Sequence, residues 1–198
     1  MINDKCKKCR RAGEKLFLKG EKCLTPKCPF SRKPYAPGLS PKSKFGGKGR
    51  RSGLSEYGAQ LRENQKIKFS YGIRGRQFSN YVKEAAKRTE GGDAGVRLFE
   101  FLESRLDNVV FRLGLAESRS IARQIVTHGH IMVNNRRVDI PSYKVKKGDK
   151  ISIRSQSAGK EVFKDLDIKI KKYTPPAWIK FDKIKKEGVI AGVPSIIN

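Results

Sequence analysis

Cys6, Cys9, Cys23 and Cys28 are the only cysteines in the chain. They fall as C-x2-C, thirteen intervening residues, then C-x4-C. Two short thiol pairs joined by a loop suit one tetrahedral ion held by four thiolates. The flanking cations Lys5, Lys7, Lys8, Arg10, Arg11, Lys22 and Lys27 should lower the thiol pKa values and favour the ligating form. Disulfides and four unrelated free thiols are the competing readings. A basic chain without an apolar leader fits a reducing compartment, where disulfides are rare. The spacing therefore predicts a bound metal, zinc ahead of an iron–sulfur cluster. With no Cys or His left over nearby, that site should be closed and structural, folding a segment too small and too charged to fold alone.

Elsewhere the reactive residue types form no catalytic set. His128 and His130 stand at a predicted helix end and strand start, with no Ser or Cys nucleophile beside them. Contact or packing is the expected role of both. Asp107, Asp139 and Asp149 make no evident carboxylate pair, and no G-x-x-x-x-G-K-[ST] phosphate loop occurs. Neither an enzyme nor a small-molecule substrate is expected.

Charge points instead to a polyanion. Lys and Arg number 45 against 19 Asp and Glu, a formal net charge of +26 that repels itself unless neutralised. Residues 1–51 hold 16 cations against 3 acids, while residues 52–104 hold 9 against 7 and read as folded scaffold. Residues 105–159 carry 11 against 4, and residues 160–198 carry 9 against 5. The run from Ser31 to Gly53 mixes three prolines and five glycines with Lys42, Lys44, Lys48, Arg50 and Arg51. It reads as an extended basic arm that orders on RNA, the alternative being a solvated linker. A stretch of about 18 apolar residues, an amphipathic anchor and a lipidation motif are all missing, so a membrane partner is not expected.

The length of 198 residues suits at least two folded units, and no internal repeat is visible. Residues 54–72 predict a largely polar helix. Tyr57 and Leu61 are assigned to the core, and Arg62, Gln65, Lys66 and Lys68 face phosphate and sugar. From Gln77 to Thr89, Phe78, Tyr81, Val82, Ala85 and Ala86 form one buried stripe at helical spacing. Glu90-Gly91-Gly92-Asp93 stops that helix, and Val96, Phe99 and Leu102 start the next. Leu106, Val109, Val110 and Leu113 continue the periodicity. Ser118 is a candidate N-cap for a helix with Ile121, Ala122, Ile125 and Val126 on one face, ended by Gly129. Arg119, Arg123 and Gln124 then remain for a polyanion. Strands are expected at Ile131–Val133, Val138–Ile140 and Ile151–Ile153, with a turn at Asn134-Asn135.

At this point a resemblance becomes specific. RLDNVVFRLGLAESRSIARQIVTHGHIMVNNRRVDIPSYKVKKGDKISI resembles the RNA-binding module named after ribosomal protein S4. LSEYGAQLRENQKIKFSYGIRGRQFSNYVKEAAKR, PPAWIKFDKIKKEGVIAGVPS and the N-terminal cysteine set resemble the flanks of the ribosomal S4 family itself, bacterial in type. The resemblance implies an α+β fold: a helical domain carrying an inserted module in which a helix pair packs on a short, mainly antiparallel sheet. The implied organisation is a cysteine-rich metal-binding segment and arm over 1–45, a helical part over 46–104, the module over 105–170, and a C-terminal segment over 171–198 returning to the helical domain.

The resemblance further implies a primary binder of small-subunit ribosomal RNA that clamps a multi-helix junction, nucleates assembly and contributes to translational accuracy. Its implied place is the cytoplasmic ribosome or an organelle ribosome. Carried onto this sequence, the RNA contacts are Ser118, Arg119, Arg123, Gln124, His128, His130 and Asn134, with Arg62, Gln65 and Lys66 from the earlier helix. Lys44, Lys48, Arg50 and Arg51 resemble the family segment near the path by which messenger RNA enters. Ribosomal protein S5 is an implied neighbour. The chain lacks the apolar strand that usually follows the Pro-containing C-terminal region, which bears on that neighbour contact. Two rivals fit less well. An RNA-modifying enzyme guided by the same module needs a large catalytic domain, and a zinc-bearing regulator of duplex DNA needs a helix-turn-helix or tandem fingers.

Overall fold

Local signals set the element boundaries. Ser55 accepts a hydrogen bond from the Gly58 amide, and Gly72 ends the same helix in the left-handed conformation at φ 64°. The computed structural model describes residues 2–38, 55–87, 93–164, 166, 168, 170 and 173–194. It divides into two compact units, residues 1–74 and 75–198. No helix among the described residues is long and apolar enough to cross a membrane.

The first unit contains α1 (Ile2–Ala12), a short 3-10 turn at Gly20–Cys23, α2 (Pro29–Arg32) and α3 (Glu56–Tyr71). Among the described residues, its buried apolar side chains are Cys9, Ala12, Cys23, Cys28 and Ile73. Arg10 ties the cysteine-rich part together by donating to the carbonyls of Lys33 and Tyr35. No residue of α3 is fully buried, and Tyr57 and Leu61 are 74% and 44% exposed. The expectation that these two enter a core is therefore corrected. They stand among Glu56, Gln60 and Arg62 in the opening turns of α3, and too few apolar positions follow in register to draw the stripe inward.

The second unit packs α4 (Gly75–Lys87), α5 (Ala94–Glu103), α6 (Leu106–Arg112) and α7 (Arg119–Thr127) with one five-stranded sheet. Of the expected α4 stripe, Tyr81 and Ala85 are buried, whereas Val82 and Ala86 are exposed. The strands are β1 (Ile131–Val133), β2 (Arg136–Arg137), β3 (Lys150–Ile153), β4 (Ile179–Asp182) and β5 (Glu187–Ile190). Their order is β2-β1-β3-β5-β4, antiparallel throughout. Asn134 and Asn135, at φ 50° and 62°, make the two-residue turn between β1 and β2. Asn accepts the left-handed region that this tight hairpin demands. The turn brings Arg136 and Arg137 into the ladder with β1, and the Val138 amide donates to the Ile131 carbonyl at 3.2 Å.

In the C-terminal segment, β5 pairs with β3 through Lys150↔Val189, Ile151↔Gly188 and Ser152↔Glu187. One core results, in which Leu106, Val109, Val110 and Leu113 of the α6 region and Ala122, Ile125 and Val126 of α7 meet Ile131, Ile151, Ile179 and Ile190 of the sheet. Phe163, Leu166 and Ile170 close it. Fully burying side chains of this size contributes about 1.5–3 kcal/mol each, which makes this core the principal source of stability in the unit.

Candidate nucleic-acid interface

Helix α7 owes its position to both ends and one face. Ser118 caps it, its Oγ accepting from the Ile121 amide at 3.4 Å and lying 3.2 Å from Ser120 Oγ. Gly129, at φ 68°, lets the chain turn into β1. With Ala122, Ile125 and Val126 in the core, Arg119 and Arg123 stay partly exposed and Gln124 and His128 are exposed.

The two arginines are anchored. Arg123 donates from Nε and Nη2 to Asp107 Oδ2, at 2.9 and 2.6 Å. Arg105 binds the same carboxylate from Nε at 3.1 Å and Nη2 at 2.8 Å, and donates from Nη1 to the Tyr81 hydroxyl at 2.8 Å. Burial works against the Arg105 charge, but the Asp107 bonds and charge outweigh it, so its pKa lies above the ordinary value. Glu103 receives Arg112 as a fork, with both bonds at 2.9 Å. Asn108 Nδ2 donates to Glu103 Oε2 at 3.0 Å, and Arg119 Nε donates to Asn108 Oδ1 at 2.7 Å. Arg119 also stacks over Phe111, 4.7 Å from the ring centre. Among the described residues no buried side-chain nitrogen or oxygen lacks a partner, which such a charged network requires.

The remaining sequence-assigned residues divide by exposure. Ser118 is 2% exposed and serves as a cap. His130 is buried, with Nδ1 3.0 Å from Ser157 Oγ, and its ring meets those of Phe163 and His128 edge-on. Burial first, then Lys160, His128, Arg137 and Arg154, hold its pKa below the ordinary value and keep it neutral. Both residues support the surface from inside. Asn134 is exposed, but its amide is engaged: Nδ2 donates to Asp149 at 2.8 Å, and Oδ1 accepts from the Lys150 amide at 2.9 Å.

In the first unit, Arg62 is exposed, Gln65 is half-buried, and Lys66 bridges Glu14 at 2.9 Å and Glu63 at 2.8 Å. Lys44, Lys48, Arg50 and Arg51 lie outside the described residues. The sequence reading missed Arg112 and the two carboxylates that organise the arginines. Glu103 sits four residues from Asp107 and nine from Arg112, a spacing that signals a polar cluster only once the α5–α6 bend is known.

The predicted metal centre is corrected. Cys6, Cys9, Cys23 and Cys28 do line one small cavity, together with Lys5, Leu18, Lys19 and Phe30. Yet no group of three or more His, Cys, Asp or Glu among the described residues is placed to hold a metal ion. The four are free thiols, three of them buried. Burial pushes the Cys9 thiol up, away from the thiolate form a metal needs. Cys23 Sγ accepts from the Lys19 amide at 3.4 Å, and the cavity wall includes two lysines. As placed among the described residues, the four thiols do not form a site for zinc or an iron–sulfur cluster.

A helix pair on a small antiparallel sheet, with basic side chains along the second helix, defines an S4-domain protein. The S4 domain family matches residues 104–151, and the family described as ribosomal protein S4/S9 N-terminal domain matches residues 1–103. Similar proteins include the small ribosomal subunit protein uS4 of Pelotomaculum thermopropionicum, 47% identical over 190 residues, covering 96% of this chain and 87% of the relative. The protein of the same name from Thermoanaerobacter pseudethanolicus is 47% identical over 189 residues, covering 96% and 86%. That of Syntrophomonas wolfei is 45% identical over 189 residues, covering 96% and 87%. The chain belongs to the small ribosomal subunit protein uS4 family.

Proposed function

We propose that the chain is a structural, non-catalytic constituent of the small ribosomal subunit that binds its ribosomal RNA in the cytoplasmic ribosome. It grips a multi-helix junction and promotes early assembly. The observation that carries this reading is α7: one face is locked in the core by Ala122, Ile125 and Val126, and the other presents Arg119, Arg123, Gln124 and His128. RNA helices hide their base edges, so a protein recognises a junction by shape, phosphate spacing and 2′-hydroxyls, and a rigid row of polar and cationic groups suits that task. Guanidinium groups fork onto phosphate. Arg62, Gln65 and Lys66 of α3 form a second contact in this reading. The basic residues Lys44, Lys48, Arg50 and Arg51 face messenger RNA where it enters, and ribosomal protein S5 is a neighbour.

The experiment is binding to intact small-subunit ribosomal RNA and to a scrambled RNA of equal length, across a salt titration. Pure charge attraction gives both RNAs the same steep loss with salt. A preference for the natural RNA that persists at high salt is the expected result, and coincident curves would refute junction recognition.

A further inference from the structure

Beneath the outward arginines of the second unit lie two carboxylates that no RNA could touch. Glu103 and Asp107 are 1% and 3% exposed. The side chains they hold are intermediate: Arg112 is 32% exposed, Arg119 21% and Arg123 34%. Each of these is fixed at its guanidinium plane, Arg112 by the Glu103 fork, Arg123 by two bonds to Asp107, and Arg119 by Asn108 and the Phe111 ring. We propose that Glu103 and Asp107 are positioning residues for RNA recognition, setting Arg112, Arg119 and Arg123 as one rigid reader of phosphate spacing. This rests on the RNA-binding reading above.

Charge and geometry carry the inference together. With Arg105 included, four guanidinium groups meet two carboxylates, so the cluster keeps a cationic surplus while its members lose their freedom to swing. Fold stability alone does not account for the arrangement, since well-packed apolar residues usually serve a core as well as a buried ion pair does. An arginine already held in place gives up less rotamer freedom when it meets a phosphate, and it rejects phosphates at the wrong spacing. Loose surface cations would attract any RNA equally.

The test separates fork geometry from charge, using the full-length chain, natural small-subunit ribosomal RNA and a scrambled RNA. Arg119→Lys and Arg123→Lys keep the positive charge but replace the planar fork with a compact ammonium. Each should lower the preference for the natural RNA by about tenfold and leave the salt dependence unchanged. Asp107→Asn should lower the preference in the parent chain and add nothing further in the Arg123→Lys background, because Asp107 acts through Arg123. Additive effects of those two changes, or Lys variants that retain the full preference, would overturn the proposal. If Asp107→Asn does not fold, the two Lys variants decide alone. A parent chain with no preference for the natural RNA refutes the RNA-junction reading itself, before any variant is compared.

Discussion

Gly188 of β5 lies against Leu113, with no room between them for a methyl group. A Cβ built at Gly188 would overlap Leu113 Cδ2 and sit 3.0 Å from Cδ1, and Leu113 is fully buried. Gly188→Ala should therefore cost about 1–3 kcal/mol by overpacking. Urea unfolding of the variant should show a lower midpoint with an unchanged slope. Adding Leu113→Val should recover part of the loss, because it removes a methylene at the point of collision; no recovery would place the strain elsewhere.

Ser118 makes a second, smaller contribution. Its Oγ satisfies an otherwise unpaired amide in the first turn of α7. Ser118→Ala should cost about 1 kcal/mol of stability. Below the unfolding transition, RNA affinity should stay at the parent value, since the buried hydroxyl caps the helix and does not reach the surface. A large loss of affinity in a folded variant would show that the hydroxyl does more than cap.

His130 ties stability to pH. Its folded pKa lies below the ordinary value of about 6.5, chiefly through burial. Above that value both folded and unfolded forms are neutral, and the group contributes no slope. As pH falls below it, the unfolded chain takes up a proton that the folded chain resists, so stability declines until the folded pKa is passed. Unfolding midpoints measured from pH 7.5 to pH 5 should fall in the parent and fall less in His130→Asn. Identical profiles would dismiss the histidine as the source.

The thiols offer a test of the corrected cysteine site. Cys6 is half-buried, while Cys9, Cys23 and Cys28 are buried, and Cys9 is further protected by its raised pKa. Brief alkylation of the native protein at neutral pH, followed by mass spectrometry, should mark Cys6 first and Cys9 slowly. Equal labelling of all four would contradict the packing described here.

Helix positions and the core of the second unit were legible because Leu106, Val109, Val110, Leu113, Ala122, Ile125 and Val126 keep helical spacing, and each proves buried. Ser118 was legible as a cap for the same local reason. Three features escaped a linear reading. Tyr57 and Leu61 stand four apart as a core pair would, yet a single apolar pair does not commit a polar helix to burial. Arg119 and Arg123 read as surface cations because their partners Asn108 and Asp107 lie 11 and 16 residues away, across a helix–helix contact. The place of β5 beside β3 depends on pairing between residues about 37 apart, which periodicity within either strand does not encode. The cysteine spacing, conversely, was legible and misleading: four thiols at a favourable interval reached one cavity without forming a ligand set.

The antiparallel pairing of β3 with β5 makes the order of synthesis matter. When β1 and β3 have emerged and paired, β3 still presents one open edge until residues 179–190 follow. An open edge of unpaired amides and carbonyls recruits other strands. A nascent or truncated chain ending before β4 would thus be an aggregation hazard, and the sheet becomes safe only when its latest-made hairpin docks.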